Sequence, residues 1–354
     1  MLRRFFERFS WVDFILRLFQ IAIIIAMIVG LINTISAGRY TSAQWATLVF
    51  AGLAQGSIYA LIALGYTLVY GILRLINFAH GEVYMFGALT TVFLANAQAR
   101  SGFLDEHPWL SILSWFLLAG GVSTVIAILL ERIAYRPLRN APRLVPLITA
   151  IGASFALQYT ARGLYGAEFR SYPKVDALAG TISILGFNVP VVQVVVIVAA
   201  VILMIGLIGF VDRTKIGTSM RSVSEDKDVS RLMGIDVDKV IVITFAIGGL
   251  LAGAAGVFNG LFRPVGVFFF MGFFPGLKAF TAAVLGGIGS VPGAAIGGLL
   301  LGIVESVFPN LILEGLGIPS ANQLRDAFAF TMLVLILIFR PQGIFGEKLA
   351  EKKA

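Results

Sequence analysis

Residues 40–73 read YTSAQWATLVFAGLAQGSIYALIALGYTLVYGIL, thirty-four positions without Asp, Glu, Lys, Arg or His. As one straight helix the run would be about 51 Å long, against about 30 Å of hydrocarbon in a bilayer. It must therefore tilt strongly, protrude, or break near Gly52, Gly56, Gly65 or Gly71. Further stretches without ionisable residues run 18–38, 83–99, 108–130, 144–161, 177–211, 240–262, 279–304 and 327–339. Most are long enough to cross, and 327–339 is so if Arg340 snorkels. Apolar residues make up 58% of the 354 and charged residues 13%, far from a soluble composition, and the mean hydropathy is +0.92. No run alternates as a barrel strand does. The fold class is all-α: a polytopic transmembrane bundle of about eight full spans plus a broken pair of short helices near 279–304.

Charge sets the orientation. The net +8 resembles a nucleic-acid signal until its cations are located. They cluster between apolar stretches, so the expected surroundings are membrane lipid and no nucleic acid. One cluster is Arg3, Arg4, Arg8 and Arg17, and another is Arg132, Arg136, Arg139 and Arg143. A third is Arg213, Lys215, Arg221, Lys227, Arg231 and Lys239, and the last is Arg340, Lys348, Lys352 and Lys353. The positive-inside rule places all four, and both termini, in the cytoplasm. Each consecutive pair then encloses an even number of crossings. Three apolar stretches lie between 239 and 340, so one element must enter and leave on the same side.

That element is 279–304, whose middle reads Gly286-Gly287-Ile288-Gly289-Ser290-Val291-Pro292-Gly293. Clustered Gly and Pro interrupt a helix, and irregular backbone at membrane depth must be lined by protein or water. Two half-helices inside the bundle follow; the alternative is a kinked span with a short one near 306–318. Half-helix ends expose backbone groups, which makes Gly286, Gly287, Gly289, Ser290 and Asn77 candidate pathway residues. Four GxxxG pairs (Gly52/Gly56, Gly249/Gly253, Gly293/Gly297, Gly298/Gly302) suit close helix packing. The start reads either as an uncleaved first helix, which is favoured, or as a signal peptide ending near Ser36-Ala37-Gly38.

No Walker A or dinucleotide pattern is present, and two histidines with no cysteine leave little for a metal site. No cofactor is expected. The apolar stretches hold no ionisable residue, unlike most ion-coupled carriers, so energy is expected from elsewhere. Asn77, His80 and Glu82 follow the long run; they form either a cytoplasmic junction or, if the helix breaks, a gate in the pathway with His80 as the nearest partner for Glu82. Residues 262–276, FRPVGVFFFMGFFPG, read as an interfacial aromatic belt or as a docking or gating surface.

Residues 222–239 read SVSEDKDVSRLMGIDVDK. Ser222-x-x-Glu225 matches a capping box, Val229, Leu232 and Met233 share a face, and Gly234 suits a left-handed stop. Asp236 or Asp238 can cap the next span. A short amphipathic helix results, either lying on lipid or inserted into a soluble partner. This loop resembles the coupling segment of ABC importer permeases, with its frame on Asp228-Val229-Ser230, Arg231-Leu232-Met233 and Gly234. It departs in carrying Asp-Val-Ser where Glu-Ala-Ala is usual. Residues 55–88 (QGSIYALIALGYTLVYGILRLINFAHGEVYMFGA) and 275–305 (PGLKAFTAAVLGGIGSVPGAAIGGLLLGIVE) closely resemble the LivH-type permeases of branched-chain amino acid importers, in register from about residue 45 onward. Residues 1–44, with an extra helix, form an extension, and 45–354 the permease domain with its coupling loop 212–239. Sister permeases for urea and short amides share the pattern; an ion-driven carrier is the more distant alternative.

The resemblance implies a bacterial inner-membrane subunit that is not an enzyme and has four kinds of partner. These are a second, LivM-type permease, two ATPase subunits of LivG and LivF type, and a periplasmic binding protein. It assigns ATPase coupling to Glu225, Asp228, Val229, Ser230, Arg231, Leu232, Met233 and Gly234.

Overall fold

The long uncharged run forms a single unbroken helix. In the computed structural model, which describes residues 11–139, 141–142, 144–263, 266–318, 321–340 and 342–345, it spans Ser42–Leu73. Its start is fixed by a reciprocal cap: the Gln44 amide donates to Thr41 Oγ1 at 3.3 Å and the Thr41 amide to Gln44 Oε1 at 2.8 Å. Its glycines do not break it. Arg3, Arg4, Arg8, Arg143, Lys348, Lys352 and Lys353 lie outside the described residues.

The order is α1 (Trp11–Ser36), α2 (Ser42–Leu73), α3 (His80–Arg100), α4 (Phe103–Glu106), α5 (Pro108–Leu129) and α6 (Leu144–Tyr165). A hairpin of β1 (Thr181–Ile184) and β2 (Phe187–Pro190) precedes α7 (Val191–Arg213), α8 (Lys215–Glu225) and α9 (Lys227–Leu232). Then come α10 (Val237–Phe262), α11 (Phe273–Gly286), α12 (Val291–Phe308) and α13 (Arg325–Phe339). A π-helical turn lengthens α5 through Tyr135 and another lengthens α12 through Leu313. Among the described residues six helices are both long and apolar enough to cross a bilayer: α2, extended α5, α6, α7, α10 and extended α12. The chain is a helical membrane bundle, with α1, α3, α11 and α13 completing it.

Glycine decides how α2 sits at its centre. Gly52 and Gly56 of α2 face Gly302 and Gly298 of α12. A Cβ on Gly302 would stand 2.3 Å from Gly52 O and from Gly56 Cα, and one on Gly298 would stand 2.4 Å from Ala60 Cα. On α10, a Cβ at Gly253 would meet Ala119 O at 2.4 Å and one at Gly249 would meet Ser123 O at 2.7 Å, so α5 lies backbone to backbone with α10. Each GxxxG pair in the sequence is thus occupied by another helix of this chain.

The break within 279–304 is present. Gly287 and Gly289 take φ of 104° and 100°, which suit glycine, and Ser290 Oγ accepts from the Gly293 amide at 3.2 Å to start α12. The turn reaches the end of the bundle that carries the basic residues. There the segment after α13 joins it, the Ile344 amide donating to Leu285 O at 2.8 Å and the Phe345 amide to Gly286 O at 3.0 Å. The hairpin therefore opens toward the opposite end, as the crossing parity requires. It is asymmetric, however: α11 has 14 residues, whereas α12 with its π turn is a full span and absorbs much of the separate helix considered near 306–318.

Two expectations need correction. Residues 177–211 are not one span: Gly180 and Gly186 at φ of 99° and 85° and Pro190 turn the first part into the hairpin, and helix starts only at Val191. The helices also do contain ionisable groups. Glu82, Glu131, Lys278 and Glu305 are buried inside the bundle, although in the sequence they bound the uncharged stretches.

Gly302→Val should drive a side chain into the α2 backbone and destabilise the solubilised protein by about 1–3 kcal/mol or more. Gly152→Ala, at a helical glycine facing open space, should leave thermal unfolding unchanged or slightly raised. Equal melting of the two variants would refute the glycine contact as the organiser.

Candidate functional site: the coupling segment and the buried start of α3

The segment after α7 folds back tightly. Thr214 caps α8, accepting from the Gly217 amide at 3.0 Å, and a Cβ on Gly217 would stand 2.2 Å from Val211 O. Arg221 Nη1 donates to Val211 O at 2.8 Å and to Asp212 at 3.2 Å. The capping box expected at Ser222 is not a helix start: Ser222 lies inside α8, and Glu225 is its exposed last residue. The helix begins instead at Asp226, whose Oδ1 accepts from the amides of Asp228 (2.8 Å) and Val229 (3.0 Å). Proximity decides this, because Asp226 has its carboxylate where two orphan N–H groups converge.

The short helix α9 ends where expected. Gly234 has φ of 83°, its amide donates to Arg231 O and the Ile235 amide to Ser230 O, both at 3.0 Å. Asp236 then caps α10 through the Lys239 amide at 3.0 Å. Ser230 is turned inward and bonds Asp226 O at 2.7 Å, and Arg231 pairs with Asp228 at 3.4 Å. Val229, Leu232 and Met233 are 54%, 87% and 78% exposed. Apolar side chains so exposed on a helix with caps at both ends form a rigid protrusion without a core of its own.

A network of charges binds this protrusion to the bundle. Arg139 bridges buried Glu131 to Asp238 at the start of α10, and Arg136 adds a second bond to Glu131 at 3.1 Å. Lys227 is half-buried, and burial first, then the charges of Arg139, Arg74 and Arg231, hold its ammonium below the usual lysine range. Arg74 ends α2 in the left-handed region, at φ of 55°. Strain at a non-glycine residue marks a position fixed by its surroundings, here the join between α2 and the loop toward α3.

That loop leads inward. Asn77, His80 and Glu82 are all buried, and the Tyr135 hydroxyl donates to Asn77 Oδ1 at 2.6 Å. The His80 ring occupies a slot formed by two glycines: a Cβ on Gly65 would stand 2.1 Å from Nε2 and one on Gly248 would stand 3.4 Å from Cε1. Gly65 lies about 12 Å before the end of α2 and Gly248 about 17 Å after the start of α10. So α3 starts deep in the bundle rather than at its surface. His80 is not the partner of Glu82. Glu82 Oε1 accepts from Ser154 Oγ at 3.1 Å and from Gln158 Nε2 at 2.7 Å, both on α6. Sequence proximity suggested His80; the two α6 residues become visible only as the inward stripe Ala150, Ser154, Gln158, Ala161. Gly81 meets the start of α11, a Cβ there standing 2.4 Å from Gly272 O.

Gly286, Gly287, Gly289 and Ser290 do not join this cluster. They form the tight turn at the other end of α11, where a Cβ on Gly286 would stand 1.9 Å from Gly293 O. In the aromatic segment, Val267 pairs its backbone with Arg170 at 2.9 and 2.6 Å, Phe268 packs on Phe169 at 4.5 Å, and Arg162 lies 5.5 Å over Phe269; Pro264 and Val265 lie outside the described residues.

Fold and site together define a helical membrane bundle packed on glycine, with a short, capped and exposed helix beside its basic end. Residues 48–337 match the family model described as "Branched-chain amino acid transport system / permease component". The chain belongs to that family. It is 41% identical over 307 residues to the high-affinity branched-chain amino acid transport system permease protein BraD of Pseudomonas aeruginosa, covering 85% of this chain and 95% of the relative. It is 38% identical over 307 residues to LivH of Escherichia coli, covering 86% and 96%. Among solved structures, PsaBC from Streptococcus pneumoniae in complex with Fab is similar at a TM-score of 0.43 and 15% identity, covering 87% of this chain and 96% of that one.

Glu82→Leu should strand the Ser154 and Gln158 donors and destabilise the protein by about 1–3 kcal/mol per group. Glu82→Gln keeps an acceptor oxygen and should lose clearly less. Thermal unfolding in detergent checks the order, and equal losses would remove Glu82 as the acceptor that holds α6.

Proposed function

We propose that the chain is the membrane-spanning subunit of an ATP-driven importer that moves branched-chain amino acids into a bacterial cytoplasm. It is a multi-pass membrane protein and, as a permease component, not itself an enzyme. The observation that carries the reading is α9, held rigid by Asp226 and Gly234, with Val229, Leu232 and Met233 presented to a partner. The names and family description of its relatives support the cargo, over the urea and short-amide alternative. On this reading the basic end of the bundle, with both termini, faces the cytoplasm of an inner-membrane protein.

Separate LivG- and LivF-type ATPases grip α9, a LivM-type permease lies alongside, and a periplasmic binding protein delivers cargo to the opposite face. Closure of the ATPases on ATP moves α9. Arg221 and Gly217 tie that motion to α7, and the Arg139 network ties it to α5 and α10. The loop 74–79 leads from this network to the buried start of α3, and on this reading Asn77, His80 and Glu82 gate the pathway although α2 is unbroken. The drive must come from a difference in ATPase contact between the inward and outward states, since equal contact would move nothing. An aliphatic side chain needs only a weakly adhesive route, and selection falls to the binding protein.

Leu232→Asp with Met233→Asp should abolish co-purification of the ATPases while the bundle still folds, because both side chains are exposed. Gly234→Val, which forces a branched residue to positive φ, should lower ATP-dependent uptake in proteoliposomes through about 1–3 kcal/mol of local strain. ATPases that stay bound to the double variant, with uptake intact, would overturn the coupling role of α9.

A further inference from the structure

Five helices and the end of a sixth send polar groups toward one place, in the half of the bundle away from the coupling segment. Lys278 of α11 lies 2.5 Å from Glu305 Oε1 of α12, 2.6 Å from Asp326 Oδ1 of α13 and 3.3 Å from the Tyr59 hydroxyl of α2. Tyr84 of α3 and Arg263, following α10, lie near Tyr59. The Lys278 and Glu305 side chains are 6% and 4% exposed, whereas Asp326 is 50% exposed and opens the cluster to the surface. Glu305 Oε2 and the Tyr84 hydroxyl are buried without a hydrogen-bond partner among the described residues.

Stability does not account for this arrangement. Desolvating each ion is unfavourable, and well-packed apolar residues of similar volume commonly hold helices equally well. Ionisable groups inside a membrane bundle are, by default, a sign of function. The cluster also differs from the Glu82 site, whose acceptor is met by neutral donors alone. Here one buried cation and one buried anion stand in contact, with an anionic arm reaching the surface.

We propose that this cluster is a binding station for the charged head of a small zwitterionic α-amino acid; the cargo class rests on the function proposed above. The aliphatic part of such a cargo can cross an apolar interior unaided, but its carboxylate and ammonium cannot. Lys278 and Glu305 hold each other in the closed bundle. A zwitterion entering between them exchanges that pair for two, its carboxylate taking Lys278 and the Tyr59 hydroxyl, its ammonium taking Glu305. No buried charge is left alone during the exchange. A lone anion that took Lys278 would strand Glu305, whereas Lys278 keeps Asp326, so the station rejects anions that lack an ammonium.

The test uses the complete transporter with its binding protein in proteoliposomes. Lys278→Met with Glu305→Met removes both charges while keeping the volume. The double variant should assemble with its partners and melt with the wild type, yet take up the amino acid at least about tenfold more slowly. Uptake within about twofold of wild type would reduce the pair to a structural latch and overturn the proposal. Should the double variant not assemble, the chain's lack of cysteine makes Asp326→Cys its single thiol, followed by labelling of this subunit alone. Its reaction with a cationic thiosulfonate should slow when amino-acid-loaded binding protein is added with a non-hydrolysable ATP analogue, but not with empty binding protein. Identical rates would also overturn it. Wild-type liposomes that show no ATP-driven uptake would instead remove the proposed importer function, which separates the two failures.

Discussion

The bundle depends on backbone meeting backbone. Lipid tails are as apolar as leucine, so no hydrophobic force draws one helix to another, and van der Waals contact must hold them together. Gly52 and Gly56 against Gly298 and Gly302 bring α2 and α12 so close that a single methyl group would collide with main-chain atoms. Gly249 and Gly253 do the same between α10 and α5. Around these contacts the rest of the chain is arranged.

Close contact at the centre has a polar consequence. Once α2 is fixed against α12 and α10, the loop after it turns inward, and α3 begins below the surface with His80 in the slot left by Gly65 and Gly248. Glu82 then has no access to water and takes its bonds from α6. Along α11, which starts against Gly81 and Glu82, the same proximity brings Lys278 against Glu305. The charges are tolerated because each meets a partner across a helix boundary, and these meetings couple α3 to α6 and α11 to α12.

The segment 214–236 follows a different logic. Its helices are short, their ends capped by Thr214, Asp226 and Asp236, and its apolar residues face outward. Local rules suffice there. Gly234 as a stop and Asp236 as a cap are readable from the sequence, and only the start was misplaced, since Ser222 and Asp226 compete and the carboxylate has the better-placed amides. The hairpin 181–190 escapes a sequence reading for a related reason: hydropathy cannot separate an apolar strand from a helix, and the positive φ at Gly180 and Gly186 delays the helix to Val191.

Sequence by itself determined the number and rough position of the apolar helices, the break at 286–293, the end at which cations collect and the apolar face of α9. Each of these depends on composition or on neighbours within a few residues. Tertiary structure alone decided which charges are buried. Lys278 and Glu305 bound an uncharged stretch and read as its ends, yet the turn between them folds that stretch in two and sets them face to face; Glu82 likewise found its acceptors' partners on α6, not on His80 two residues away. A linear reading counts a charge as exposed when it ends a run, whereas its solvation depends on what the folded chain places beside it.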